Sequence, residues 1–303
     1  MPAGRPPGHD WIKPMEAILD IVDTQAHLFL TMDDDSAVQV MDALGIASML
    51  IDEAWDFGDH EVPHSANPAY PLPTGQYRPI SPGGQKASMR RPDRFSYLLR
   101  INPEDPDMES WMRQVAATPG FRAFRHVSMG LAEEEAGARG DRLAFFKAAE
   151  KIGLPVFIGT PGRVADFEQY IKACPALPVV FDHCGIVKSE DHFQDLLRLA
   201  HYETVHVKWS HGPLVFDAKT YPYPEVRPWL LRALEAYGRE RIMWASDFSA
   251  VPFVRMALGT GPLSTWSETL YHMRDNPDLS ESDKQWVLGR TARALLKWDP
   301  PAA

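Results

Sequence analysis

The chain has 303 residues, 45% of them apolar and 24% charged, with a net charge of −10 at neutral pH. That is the composition of a globular protein with a sizeable core, and an acidic balance without a Lys/Arg cluster excludes a nucleic-acid partner. Cys174 and Cys184 are the two cysteines, too few for a disulfide framework, and no apolar run reaches membrane-spanning length, so no membrane role is expected.

Met1 to Pro14 carries Arg5, His9 and Asp10 but no apolar core, so it reads as a loosely packed arm and not as a signal peptide. Residues 1–16 are taken as that arm, residues 17–303 as one domain, and the cytoplasm as the expected location. Eight strand-like runs follow: Ile18–His27, Ile46–Asp56, Phe95–Asn102, Phe121–Ser128, Pro155–Thr160, Pro178–Gly185, Thr204–His211 and Ile242–Phe248. Their ends recur about every 30 residues, the size of a strand–helix unit. Helical patterns fill most gaps. One starts at Asp141, read as an N-cap, and ends at Gly153; another spans Glu225–Tyr237; Ser280 to Asp283 resembles a capping box before the last helix, which ends near Trp298.

Eight strand–helix alternations predict a (β/α)8 TIM barrel. A doubly wound open sheet is the alternative, but no Gly-rich phosphate loop follows the first strand. Two gaps are long. Phe57 to Arg91 is proline-rich and irregular and holds His60, His64, Tyr70, Tyr77 and Arg78; following the second strand, it lies over the C-terminal mouth and reads as a lid that brings Tyr77 and Arg78 to a substrate. The plain alternative is a variable surface loop. Ser249 to Leu279 is expected to hold an extra helix at Ser264–Arg274.

Barrel enzymes place their chemistry at the C-terminal ends of strands. Strand one ends with Asp23, Gln25 and His27, which share one face by alternation; strand four ends with Arg125 and His126, strand six with Asp182 and His183, strand seven with Lys208, Ser210 and His211, and strand eight with Asp247. Lys208 and Ser210 have the opposite parity to Trp209 and His211, so only one pair is expected to face inward. His126 is expected to face outward.

Asp23-Thr24-Gln25-Ala26-His27, Phe181-Asp182-His183-Cys184-Gly185, Val207-Lys208-Trp209-Ser210 and Arg241 to Asp247 resemble strands one, six, seven and eight of the amidohydrolase superfamily. The nearest branch includes 2-pyrone-4,6-dicarboxylate lactonase, and Gly289 to Leu296 is similar to that branch's last helix. Two positions depart from the pattern: Gln25 replaces the first histidine of His-x-His, and Ile158-Gly159-Thr160 stands where many metal-dependent members carry a ligand. The resemblance implies metal-free chemistry; if a divalent ion such as zinc binds, His27, His183 and Asp247 are the matching ligands.

The expected reaction is hydrolysis of a small, anionic lactone. Asp247 acts as general base with a pKa raised by desolvation, His27, His183 and Gln25 stabilise the oxyanion, and Arg125 clamps a substrate carboxylate unless it pairs with a barrel acid. Lys208 is either a second cation for substrate or a partner for a nearby carboxylate. The resemblance places this hydrolysis in aromatic catabolism. Two other readings are a metal-dependent decarboxylase or amide hydrolase acting on an aromatic acid, and a catalytically silent barrel serving as a binding subunit. A homo-oligomer stays open.

Overall fold

The computed structural model describes residues 19–29, 32–53, 68–248 and 264–301. The expected arm lies outside these residues, as do His60 and His64. The strands are β1 (Ile21–Ala26), β2 (Ile46–Ile51), β3 (Ala69–Pro71), β4 (Tyr77–Pro79), β5 (Phe95–Arg100), β6 (Phe121–Val127), β7 (Val156–Gly159), β8 (Val179–Phe181), β9 (Val205–Trp209) and β10 (Ile242–Trp244). Eight of them form one parallel sheet in the order β1-β2-β5-β6-β7-β8-β9-β10; β3 and β4 pair separately as an antiparallel hairpin. The outer strands of that order meet: the Thr24 hydroxyl donates to the Trp244 carbonyl (2.7 Å) and the Asp247 N–H to the Gln25 carbonyl (2.9 Å). The fold is the expected (β/α)8 barrel, and all eight predicted barrel strands are present.

Nearly every residue of these strands is buried because both of their faces are covered, and β7 and β8 read as continuous apolar runs. The barrel interior begins with an apolar layer of Val22, Leu50, Leu98, Ala123, Phe157, Val180 and Met243. Two residues further along five of these strands stand Asp52, Arg100, Arg125, Gly159 and Asp182. By alternation they share the inward face, one layer nearer the C-terminal mouth. Ala292, Leu296 and Trp298 close the other end against the apolar layer. Arg293 pairs with Asp20 just before β1 (2.8 and 2.9 Å), and the Trp298 indole donates to the Pro92 carbonyl (3.2 Å).

Two expectations need correction. Phe57–Arg91 is not irregular throughout: its described part holds the β3–β4 hairpin and a helix over Pro82–Arg90. The Ser-Pro-Gly-Gly stretch starts that helix, with proline in its first turn and the Glu53 carboxylate accepting from the Ser81 hydroxyl (2.8 Å) and the Gly84 N–H (3.0 Å). Asp141 is no N-cap; the helix Leu143–Ile152 begins behind Arg142, and Asp141 takes the Arg139 guanidinium instead (2.8 Å). Gly153 ends it in a left-handed cap (φ 80°), as expected. The Ser280–Asp283 capping box forms, and the extra helix spans Trp266–Arg274.

The closing segment passes β1 with no room for a side chain. A Cβ on Gly289 would lie 1.8 Å from the Asp20 carbonyl oxygen, a backbone atom that cannot swing away. Gly289→Ala is expected to destabilise the fold by about 3 kcal/mol, the upper range for overpacking, as read from urea unfolding.

Candidate active site

A line of buried charges crosses the barrel at its mouth. Arg125 bonds Asp52 through Nη1 and Asp182 through Nε (2.9 Å). The Lys208 ammonium lies 2.6 Å from the other Asp182 oxygen and donates to the Gln25 side-chain carbonyl. Lone buried ions are costly, so acids and bases alternate. Burial pushes the Asp182 carboxyl up, but Lys208 and Arg125 outweigh it and hold the group at about 2. Burial also pulls the Lys208 ammonium below its ordinary value, while Asp182 pushes it back.

Lys208 can only donate, so its contact settles which end of the Gln25 amide faces it. The oxygen turns to Lys208, and the NH2 reaches Asp247 Oδ1 (3.2 Å) and His27 Nε2 (3.0 Å). Asp247 is the centre of the site. Its Oδ1 lies 3.1 Å from His27 Nε2, and its Oδ2 lies 2.8 Å from His211 Nε2 and 3.6 Å from His183 Nε2. His183 Nδ1 is tied to the Ser210 hydroxyl (2.8 Å). Burial raises the Asp247 carboxyl, but its close contacts with His27 and His211 outweigh burial and hold it well below the carboxylate range. The raised pKa expected for Asp247 is therefore corrected. Burial lowers both His27 and His183, so both imidazoles are neutral at pH 7.

Three of these residues stand just past strand ends in left-handed backbone: His183 (φ 52°), His211 (φ 53°) and Asp247 (φ 44°). Such conformations cost energy for residues other than glycine and cluster at functional sites. They also explain the one site residue that alternation missed. β9 ends at Trp209, so parity no longer applies at Ser210 and His211, and the left-handed turn brings the His211 ring to Asp247 beside Ser210. The Gly212-Pro213 pair next in the chain is the sequence signal that the strand has ended. Asp52 and Arg100 were missed for another reason: neither stands in a motif that marks a strand end for chemistry.

Asp23 does not share the face of Gln25 and His27. Val22 faces the interior, so Asp23 faces away from it, and the β1–β2 register shift between Asp23 and Ala26 brings Gln25 back inward. Its carboxylate accepts from the Ser246 N–H (2.9 Å), the Ser246 hydroxyl (2.5 Å) and the Trp266 indole (2.9 Å). Arg125 is not an open clamp, being held by two acids. Arg78 likewise engages Asp105 (2.5 Å) and Asp107 (3.4 Å) and stacks over Trp111, while the Tyr77 carbonyl accepts from Asn102 (2.9 Å). His126 faces outward among Phe145, Phe146 and Phe167, as expected.

Among the described residues, the side chains that could hold a metal and converge are His183, His211 and Asp247, with donor atoms within 4.8 Å of one another. Two imidazoles and a carboxylate suit a zinc-like ion, and three ligands leave a coordination position open, so the donor set fits. No helix among the described residues is long and apolar enough to cross a membrane.

Burial outweighs the hydrogen bonds to Asp23 and raises its carboxyl to about 6 from an ordinary 3.8. The folded state thus binds this proton more tightly than the unfolded chain, and the Asp23 contribution to stability falls as pH rises from about 4 to 6. The unfolding free energy of the parent minus that of Asp23→Asn should drop by about 2 kcal/mol between pH 4 and 7 in urea titrations.

The amidohydrolase family profile matches residues 85–298. No curated protein matches the chain. Among solved structures, a zinc-bound amidohydrolase from Burkholderia multivorans superposes with a TM-score of 0.71 at 16% identity, covering 92% of this chain and 100% of its own. A protein named as a 2-pyrone-4,6-dicarboxylic acid hydrolase from Pseudomonas putida gives 0.66 at 15%, covering 93% and 99%. The 2,6-dihydroxybenzoate decarboxylase from Rhizobium gives 0.58 at 13%, covering 92% and 99%. At such identities the structural likeness is one of fold. The profile, which spans β5 to the closing helix, shows that the chain belongs to the amidohydrolase family.

Proposed function

We propose that this protein hydrolyses a small carboxylate-bearing lactone at the mouth of the barrel. The observation that supports this most is the setting of Asp247: an ionised, buried carboxylate between an imidazole–amide pair on one oxygen and two imidazoles on the other. The substrate class draws on the neighbours named for 2-pyrone-4,6-dicarboxylic acid.

Water is deprotonated on the Oδ1 side. Asp247 is a weak base by itself, but neutral His27 lies 3.1 Å away and takes the proton onward. The new hydroxide oxygen bonds to the lactone carbonyl carbon. The oxyanion is met on the Oδ2 side by His183 and His211 as donors. The ring C–O bond then breaks, and the leaving oxygen takes the proton from His27, so charge balances and the product is the open hydroxy or enol acid. A divalent ion held by His183, His211 and Asp247 would supply Lewis-acid polarisation of the carbonyl in place of those two N–H donors. Lys208 and Gln25 hold the amide donors in place throughout. Arg125 keeps Asp182 ionised, which anchors Lys208.

The second reading is decarboxylation of an aromatic acid, favoured by the decarboxylases among the structural neighbours and by the fit of the donor set to a metal. Release of CO2 in place of ring opening would establish it. Asp247→Asn is expected to lower kcat for a dicarboxylated lactone by about a thousandfold with KM little changed. Retained turnover would reject the mechanism. Because His27 must be neutral and burial lowers its pKa, the acid limb of kcat/KM is expected below the ordinary imidazole value of 6.5, with activity flat above it.

A further inference from the structure

We propose that His183, His211 and the Oδ2 side of Asp247 form a seat for one divalent zinc-like ion, and that β1 takes no part in it. The seat does not depend on which substrate the enzyme opens, so it stands or falls by metal binding alone.

The three donor atoms are already gathered. His211 Nε2 and His183 Nε2 lie 2.8 and 3.6 Å from Asp247 Oδ2. Around a tetrahedral zinc with bonds near 2.1 Å, ligand atoms stand about 3.4 Å apart, so the two contacts to Asp247 need shifts of about 0.6 and 0.2 Å, and all three donors lie within 4.8 Å of one another, close enough for small ring rotations to bring them onto one ion. The Ser210 hydroxyl holds His183 by Nδ1 and so presents Nε2 to the carboxylate, as an outer hydrogen bond does for a ligating imidazole. The two rings lie side by side, with centroids 4.9 Å apart.

The opposite half of the site is built against a cation. Because Lys208 takes the Gln25 oxygen, Gln25 offers only N–H to Asp247 Oδ1 and His27. An amide nitrogen cannot ligate zinc, and its hydrogens carry positive charge. His27 Nε2 is drawn into that contact. One carboxylate is therefore divided between a hydrogen-bonded half on β1 and an imidazole half on β8 and β9. His211 becomes a ligand in place of His27, which differs from the set inferred from the strand motifs.

The test is equilibrium dialysis of chelator-stripped protein against Zn²⁺, with metal content by mass spectrometry, and a parallel titration with Co²⁺ read by its visible absorption. The parent should retain one ion per chain and give a Co²⁺ spectrum, and Zn²⁺ should raise its thermal unfolding midpoint. His183→Gln and His211→Gln should abolish the spectrum. Ser210→Ala, a milder change that keeps the fold, should weaken binding by about 10- to 100-fold. His27→Gln should bind like the parent. No retained ion in the parent, or a loss in His27→Gln equal to that in His211→Gln, overturns the proposal. Lactone turnover by metal-free parent would leave the hydrolase reading intact even then.

Discussion

The ionic contact between Lys208 and Asp182, wholly buried, sets the geometry of everything above it. Neither charge is tolerable alone at that depth, where an unpaired ion costs several kcal/mol. Asp182 also holds Arg125, and Arg125 holds Asp52, so side chains from β6 and from the ends of β2, β8 and β9 meet in one line. Such a line adds little net stability over an apolar filling. Its consequence is orientation. The ammonium at its end has no lone pair to offer, and this decides how Gln25 lies.

From Gln25 the ordering passes to Asp247 and His27. A carboxylate whose two oxygens have different partners is a directional device. One oxygen of Asp247 faces His27 and the Gln25 amide, and the other faces His183 and His211. Left-handed turns after β8, β9 and β10 bring the latter three inward at points where a regular strand would have carried their side chains elsewhere. The strain of those turns is balanced by packing and hydrogen bonds around them. Asp23 supplies part of that support, bonding Ser246 beside Asp247 and the Trp266 indole, whose ring stacks on Phe248.

Family membership and these contacts bear on different questions. The profile match shows ancestry and the barrel. The site differs from the pattern of the superfamily strands above all at Gln25, whose amide NH2 reaches Asp247 and His27. His211 brings a further imidazole to Asp247 from a strand end that the motif did not include.

The sequence by itself determined the eight strands, the barrel and the convergence of His27, His183 and Asp247, because apolar runs closed by polar residues at a steady spacing admit few other folds. It also told that His126 faces out, since it neighbours Arg125 on a regular strand. Only the tertiary structure decided which charges are spent on each other: Arg125 and Lys208 read equally well as substrate clamps until Asp52, Asp182 and Gln25 are seen against them. It alone placed Asp23 outside and His211 inside. A register shift in β1 and a left-handed residue after β9 each break the alternation on which strand reading depends, and both are set by contacts with segments far away in the chain.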